Sequence, residues 1–389
     1  MTEAYLVAAR RSPVGRRGGG LAGVHPADLA AHVLRGLLDG VDVDPAAVDD
    51  VVFGCVSPIG AQAFNIARTA WLSAGLPESV PGTTIDRQCG SSQQALHFAA
   101  QAVMSGTQDL VVAGGVEVMS LVPISSSATA GAAAGYGEPL GGTRWRERYG
   151  DTVFDQFTGA ELIAQRWGIE REEMERFALR SHERALAAIA AGAFTEEILP
   201  VGDVVQDEGP RPSTTLAKMA QLPTLRPGGR LTAAVASQIS DGAAAVLVAS
   251  EAAVSEHGLT PLARVHAMAV TGSDPELMLT GPIPATEAVL RRADLKIDDL
   301  DAVEINEAFA PVVLAWLRDT GADPERVNPL GGAIALGHPL GATGARLMTT
   351  LLGHLGRTGG RYGLQVMCEG GGMANATVVE RLTSDAGER

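Results

Sequence analysis

The chain has 389 residues, 46% hydrophobic and 19% charged, with a formal net charge of −15. That composition can bury a large core and does not suit a disordered chain. The acidity argues against nucleic acid as a partner and against docking on anionic membranes, although local arginines can still meet a polyanionic ligand.

Three cysteines occur, Cys55, Cys89 and Cys368. A sparse, odd set does not build a disulfide framework, and no Cys/His spacing suits zinc, so no metal is expected. Taken singly, each reads best as a small buried hydrophobe. The first apolar run, at Tyr5–Ala9, is short and is followed by arginines, the reverse of a secretory signal. No stretch approaches the roughly 20 apolar residues of a membrane span. The expectation is a cytoplasmic protein with reduced thiols and no membrane partner.

Along the chain, short apolar runs alternate with amphipathic stretches, the pattern of an α/β protein. Strands are predicted at Tyr5–Ala9, Asp50–Phe53, Thr83–Asp86, Leu110–Ala113, Ala244–Ala249, Ala302–Ile305, Leu364–Met367 and Ala376–Glu380. Helices are predicted at Pro26–Leu38, Ser91–Ser105, Thr158–Arg166, Arg171–Ala191, Pro284–Arg292 and Ala342–Leu355. A coarse echo links the two ends of the chain. In the first third a strand with a polar end (VVFGCVSPIG) precedes a Cys89 turn, a helix and another strand. In the last third AVEINEAFA precedes a His338 turn, a helix and another strand. Two related units packed together would bring their loops into one cleft. The middle, residues 121–238, differs: it holds a small-residue tract, a charged cluster (Arg144–Tyr149), one long helix and a Pro/Gly-rich stretch, and reads as an insertion.

Four positions could carry chemistry. Cys89 lies between a strand and a helix whose apolar stripe is Ala95, Leu96, Ala99, Ala102 and Val103. A thiol at a helix N-terminus faces free N–H groups and the positive end of the dipole, so a lowered pKa is expected. The alternative is an inert buried cysteine. His338, framed by glycine and proline before a helix, could act as a base toward Cys89, or be a loop histidine satisfied by backbone. Cys368 opens onto three glycines, whose N–H groups can form an oxyanion nest; the alternative is a hairpin turn. Asn306 ends a strand and could hold a water or an oxyanion, or else cap a helix with Glu307. Cys55, His97, His182 and His266 are assigned to structure or surface.

With these contexts in place, the chain resembles the thiolase family from end to end. The matching blocks are QCGSSQQA around Cys89, GGVEVMS at Gly114–Ser120, NEAFA at Asn306–Ala310, GGAIALGHPLGATG at Gly331–Gly344 and CEGGGMANA at Cys368–Ala376. The resemblance implies a thiolase fold: two similar βαβαβ-type halves in a layered αβαβα sandwich with an inserted loop domain. Residues 1–120 with 239–265 would form the first half, 121–238 the insertion and 266–389 the second half. It also implies an acyl-CoA C-acyltransferase, with coenzyme A and acyl-CoA as substrates and no permanently bound cofactor. Cys89 would be acylated. His338, with a water on Asn306, would form one oxyanion hole, and the N–H groups of Cys89 and Gly370 the second. Cys368 would shuttle a proton. Ser237, Met278, Ala308 and Phe309 would line the pantetheine channel. A homodimer or homotetramer is implied. Departures from the common pattern are Ser92, Glu369, Ala374 and Leu279, together with the lack of a histidine near Phe157; they bear on chain length and bulk preference and point toward the bacterial degradative members. A ketoacyl synthase-like condensing enzyme and a non-catalytic acyl-CoA-binding relative are the alternatives; the second thiol argues against the former and the retained nucleophile against the latter.

Overall fold

A computed structural model of the chain describes residues 3–152 and 154–382. Ten strands are named in chain order: β1 Ala4–Arg11, β2 Gly15–Arg16, β3 Asp50–Gly54, β4 Gly82–Ile85, β5 Leu110–Val118, β6 Ser240–Ser250, β7 Ala263–Gly272, β8 Ala302–Ile305, β9 Tyr362–Glu369 and β10 Met373–Arg381. They form one mixed sheet in the order β4-β3-β5-β6-β1-β7-β10-β9-β8, with β2 paired to β6.

The echo seen in the sequence is a duplication of pairing. In the first part, β3 runs parallel to β4 and β5, β5 is antiparallel to β6, and β6 is antiparallel to β1. In the second part, β8 runs parallel to β9 and bridges in parallel to Val327, β9 is antiparallel to β10, and β10 is antiparallel to β7. The two parts meet where β1 pairs with β7, so both halves share one continuous sheet.

Both faces of most strands are buried, as parallel and central strands require, while β4 and β7 stay partly open. In β3, Val51 and Phe53 face the helices Pro26–Leu38 and Ile66–Ser73, while Val52 faces the opposite way. The opposite face packs on the helices Ser91–Met104 and Thr343–Thr358, which touch each other and both halves of the sheet. The helices Pro282–Ala293 and Ala310–Thr320 cover the outer face of the second half. The result is five layers, with the two central helices sandwiched. Of the predicted apolar stripe on the first central helix, Ala95, Leu96, Ala99 and Val103 are buried. Its polar face is buried too, and is answered by partners: Gln93 Nε2 donates to Thr377 Oγ1 at 2.8 Å, and Ser92 Oγ accepts from Ala345 N at 2.9 Å.

The predicted elements all exist, most of them extended by a few residues. Several others were not foreseen, among them the helix Ile66–Ser73, strand β7 and the helix Ala310–Thr320. Strand β7 (ARVHAMAVTG) has its small apolar residues interrupted by Arg264 and His266, and it pairs with β10 over nine positions. The helix Ala310–Thr320 hides in an apolar run; Pro311 opens it and Gly321 closes it in the left-handed region. Residues 119–239 leave the sheet between neighbouring strands β5 and β6 and carry the helices Gln156–Arg166 and Arg171–Ala190.

Candidate active site

Each half of the fold sends a turn before its central helix toward the same place. Cys89 lies in the turn after β4, and His338 lies in the turn before Thr343–Thr358. The two helix starts are locked by the Ser92–Ala345 hydrogen bond, and a Cβ added at Gly344 would overlap the backbone of Gln93. Only small residues permit that approach.

The Cys89 turn is strained. Gln88 holds φ +49, a left-handed conformation that costs a non-glycine residue energy. Ser91 pins it: its Oγ accepts from Arg87 N at 2.9 Å and donates to Gln88 O at 2.6 Å. Cys89 keeps a partial opening to solvent. The N–H groups of Cys89 itself and of Gly370 lie near its sulfur, which brings the glycine run after β9 beside the thiol.

His338 is buried in a defined tautomer. Its Nδ1 lies 2.6 Å from Thr343 Oγ1, whose hydroxyl donates to Pro339 O at 2.8 Å. The threonine proton is thus committed, so Nδ1 carries the hydrogen and Nε2 is left with its lone pair. Nε2 lies 3.4 Å from Asn306 Nδ2, and the same amide lies 3.9 Å from Cys368 Sγ. Backbone fixes the histidine further: His338 N donates to Ser240 Oγ at 3.1 Å. Cys368 is fully buried and also accepts from Ala308 N–H. Cys89 and Cys368 lie close enough for their charges to oppose each other.

The expected lowering of the Cys89 pKa does not occur. Burial pushes the thiol up, and the Cys368 and Glu369 charges add to the rise; the N–H groups of Cys89 and Gly370 oppose it without prevailing. The helix begins at Ser91, so Cys89 precedes its first turn and gains little from the dipole. Burial likewise lifts Cys368 to about 12, against the Asn306 hydrogen bond. Burial, with Arg346 nearby, takes His338 down to about 3, so it is neutral at working pH. The arrangement therefore favours passing a proton from thiol to imidazole as bonds form, over a standing thiolate.

Met278, Ala308 and Phe309 fall in one apolar cluster with Cys368. Ser237 joins them through its N–H to Ala308 O at 2.9 Å, and Phe157 packs edge-on to Phe309 with centroids 5.4 Å apart. Asn306 is no helix cap, since the following helix starts at Ala310. Glu307 is a buried hub: it accepts from Ser181 Oγ at 2.7 Å, Asn328 Nδ2 at 2.9 Å and Ile334 N at 3.1 Å, tying down the His338 loop. Thr343, Ser240 and Glu307 were missed in the sequence because each acts through a partner distant in the chain or inside a loop whose shape sequence does not show. Cys55 and His97 are structural as expected, against Glu117 at 3.8 Å and Thr377 at 2.7 Å.

This pair of related halves, with two thiols, an imidazole and an amide at their junction, defines a thiolase-type acyltransferase site. The family models for the thiolase N-terminal domain and C-terminal domain match residues 4–252 and 259–381, and the chain belongs to the thiolase family of coenzyme A-dependent enzymes. It is 63% identical, over 98% of its length and 95% of the relative's, to a steroid 3-ketoacyl-CoA thiolase of Mycobacterium tuberculosis. It is 46% identical to a beta-ketoadipyl-CoA thiolase of Pseudomonas aeruginosa, over 98% of this chain and 99% of that one. Among solved structures, an acetyl-CoA acetyltransferase of Bacillus anthracis superposes with a TM-score of 0.88 at 37% identity, covering 98% of this chain and 99% of that one. The resemblance to bacterial degradative members is thereby borne out. Among the described residues no helix is long and apolar enough to cross a membrane.

Proposed function

We propose that the chain performs reversible thiolytic cleavage of 3-oxoacyl-CoA through an acyl-Cys89 intermediate, with ring-bearing acyl groups of the steroid kind as its substrates. The observation that carries this reading is the convergence of Cys368, Asn306 and His338, linked through the Asn306 amide, with Cys89 and Gly370 N–H beside them.

In the cleavage direction His338 Nε2 takes the Cys89 proton as the sulfur attacks the 3-oxo carbon. The bond between C2 and C3 breaks, and its electron pair forms the enolate of acetyl-CoA. Asn306, with its water, and His338 stabilise that oxyanion, while Cys89 N–H and Gly370 N–H hold the acyl carbonyl. Cys368 gives its proton to C2 and acetyl-CoA leaves. The Cys368 thiolate then takes the proton of incoming coenzyme A, whose sulfur attacks the acyl carbon and frees Cys89, which recovers its proton from His338. One coenzyme A enters, and acetyl-CoA and the shortened acyl-CoA depart, in ping-pong order. Reversal is a Claisen condensation. Ser237, Met278, Ala308 and Phe309 line the path of the pantetheine arm.

Support for a ring-bearing acyl group is the 63% identity to the steroid enzyme against 46% to the beta-ketoadipyl enzyme. The test is thiolysis of acetoacetyl-CoA, 3-oxoadipyl-CoA and a 3-oxoacyl-CoA bearing fused rings. The highest kcat/KM on the last is expected; a preference for either of the others would remove the substrate assignment. Absence of acyl label on Cys89 with all three would remove the mechanism.

Residues 1–120 with 239–265 and residues 266–389 are proposed as the two catalytic halves, with 121–238 covering the site. A homodimer or homotetramer is proposed as well: β4 ends the sheet with an unpaired edge, and Phe64, 95% exposed, stands in a left-handed turn preceding it in the chain. Light scattering of the purified protein tests this. Two working thiols suit a reducing compartment, the cytoplasm.

A further inference from the structure

Glu369 follows Cys368 but points the other way from β9, as alternation in a strand requires. It is fully buried, and neither carboxyl oxygen has a hydrogen-bond partner. A Cβ added at Gly90, directly after the nucleophile, would overlap Glu369 Oε1 and crowd Asn375 Nδ2. Asn375 sits on the same face of β10, spends its Nδ2 on Gly90 O at 3.0 Å, and leaves its own Oδ1 unpartnered. The space beneath Gly90 thus contains buried acceptors, and its Asn375 Nδ2 donor is already spent. A carboxylate there makes no hydrogen bond; a neutral carboxyl brings an O–H for the unmet acceptors.

We propose that Glu369 is a positioning residue of the nucleophile turn, seated neutral beneath Gly90 when the enzyme works, and that its ionisation sets the alkaline limit of Cys89 reactivity. The inference rests on Cys89 being the nucleophile.

The charged and titratable groups around it are few. Arg87, on the turn after β4, is the cation that favours its charged form. Arg87 Nε is buried without a hydrogen-bond partner, as are both Glu369 oxygens. Cys89 on the same turn and Cys368 on β9 both feel the Glu369 charge, which makes each thiolate harder to form. His97, on the central helix, is bonded to Thr377 and held neutral by burial and by Arg87. Burial outweighs Arg87 and lifts Glu369 to about 8. The sign follows. Below that pH the group is uncharged and Cys89 pays only for its own burial. Above it, a second negative charge opposes the thiolate.

The test is the rate of Cys89 alkylation by iodoacetamide from pH 6 to 10, read by mass spectrometry. This readout is independent of turnover and of substrate choice, so it stays decisive if the acyl specificity proposed above is wrong; alkylation of a cysteine other than Cys89 would instead count against the nucleophile assignment. Wild-type enzyme is expected to show a downward break in the log rate near pH 8. Glu369→Gln should abolish the break and raise the ratio of rates at pH 9.5 and 7 by about tenfold, the effect of one unit in thiol pKa. A profile that superimposes on wild type overturns the proposal. If Glu369→Gln does not fold, Arg87→Met decides: removing the cation should move the break to higher pH, and an unmoved break overturns the proposal.

Discussion

His338 Nδ1 stands 2.6 Å from Thr343 Oγ1, and that hydroxyl has already given its proton to Pro339 O. One threonine therefore decides which imidazole nitrogen is free to accept. Thr343→Val keeps the shape and removes the acceptor, stranding a buried N–H at a cost of about 1–3 kcal/mol. The expected result is a fall in kcat/KM for 3-oxoacyl-CoA thiolysis of about tenfold or more, with a melting temperature lowered by a few degrees. Unchanged kinetics would mean that the histidine is oriented by its backbone contacts alone.

The two thiols should separate by step. Cys89→Ser should lose acyl labelling and turnover together. Cys368→Ser should still take iodoacetamide on Cys89, yet lose thiolysis by about 10²–10⁴, the usual weight of a proton-transfer group. Labelling of Cys368 in place of Cys89 would reverse the assignment.

Burial holds His97, His182 and His338 down at about 3, 4 and 3. Unfolded histidine takes a proton near pH 6.5. Above that pH these groups leave stability unaffected. As pH falls below it, the unfolded chain binds protons that the folded chain refuses, and stability drops. Each fully buried group contributes at most about 1.4 kcal/mol per pH unit. His97→Gln should flatten a series of urea melts between pH 6.5 and 4 by up to that slope. An unchanged slope would show that His97 is charged in the folded enzyme.

Glu307→Ala removes the common acceptor of Ser181, Asn328 and Ile334 N. Leaving those donors buried and unmet should cost about 3 kcal/mol or more. Activity should fall along with stability, because the loop that carries His338 loosens. A melt equal to wild type would show that solvent reaches these donors.

Cys89, His338, Cys368 and Asn306 were legible because each stands in a short, unusual local context: a thiol or imidazole beside glycine in a turn or at a strand end, and an amide ending an apolar strand. The α/β alternation and the echo between the two ends were legible for a similar reason, since side-chain period is a local property of the chain. Three further features needed the folded molecule. The continuity of the sheet depends on β1 meeting β7, a contact between residues such as Tyr5 and Arg264 that no spacing encodes. The tautomer of His338 depends on where the Thr343 proton goes. The upward shift of Cys89 depends on burial and on Glu369 and Cys368, which lie about 280 residues along the chain. A helix start predicts a stabilised thiolate, but the loss of most water around the sulfur outweighs a partial dipole. Local pattern thus determined which groups are present and on which elements. Packing alone determined which of them meet and how freely each can carry charge.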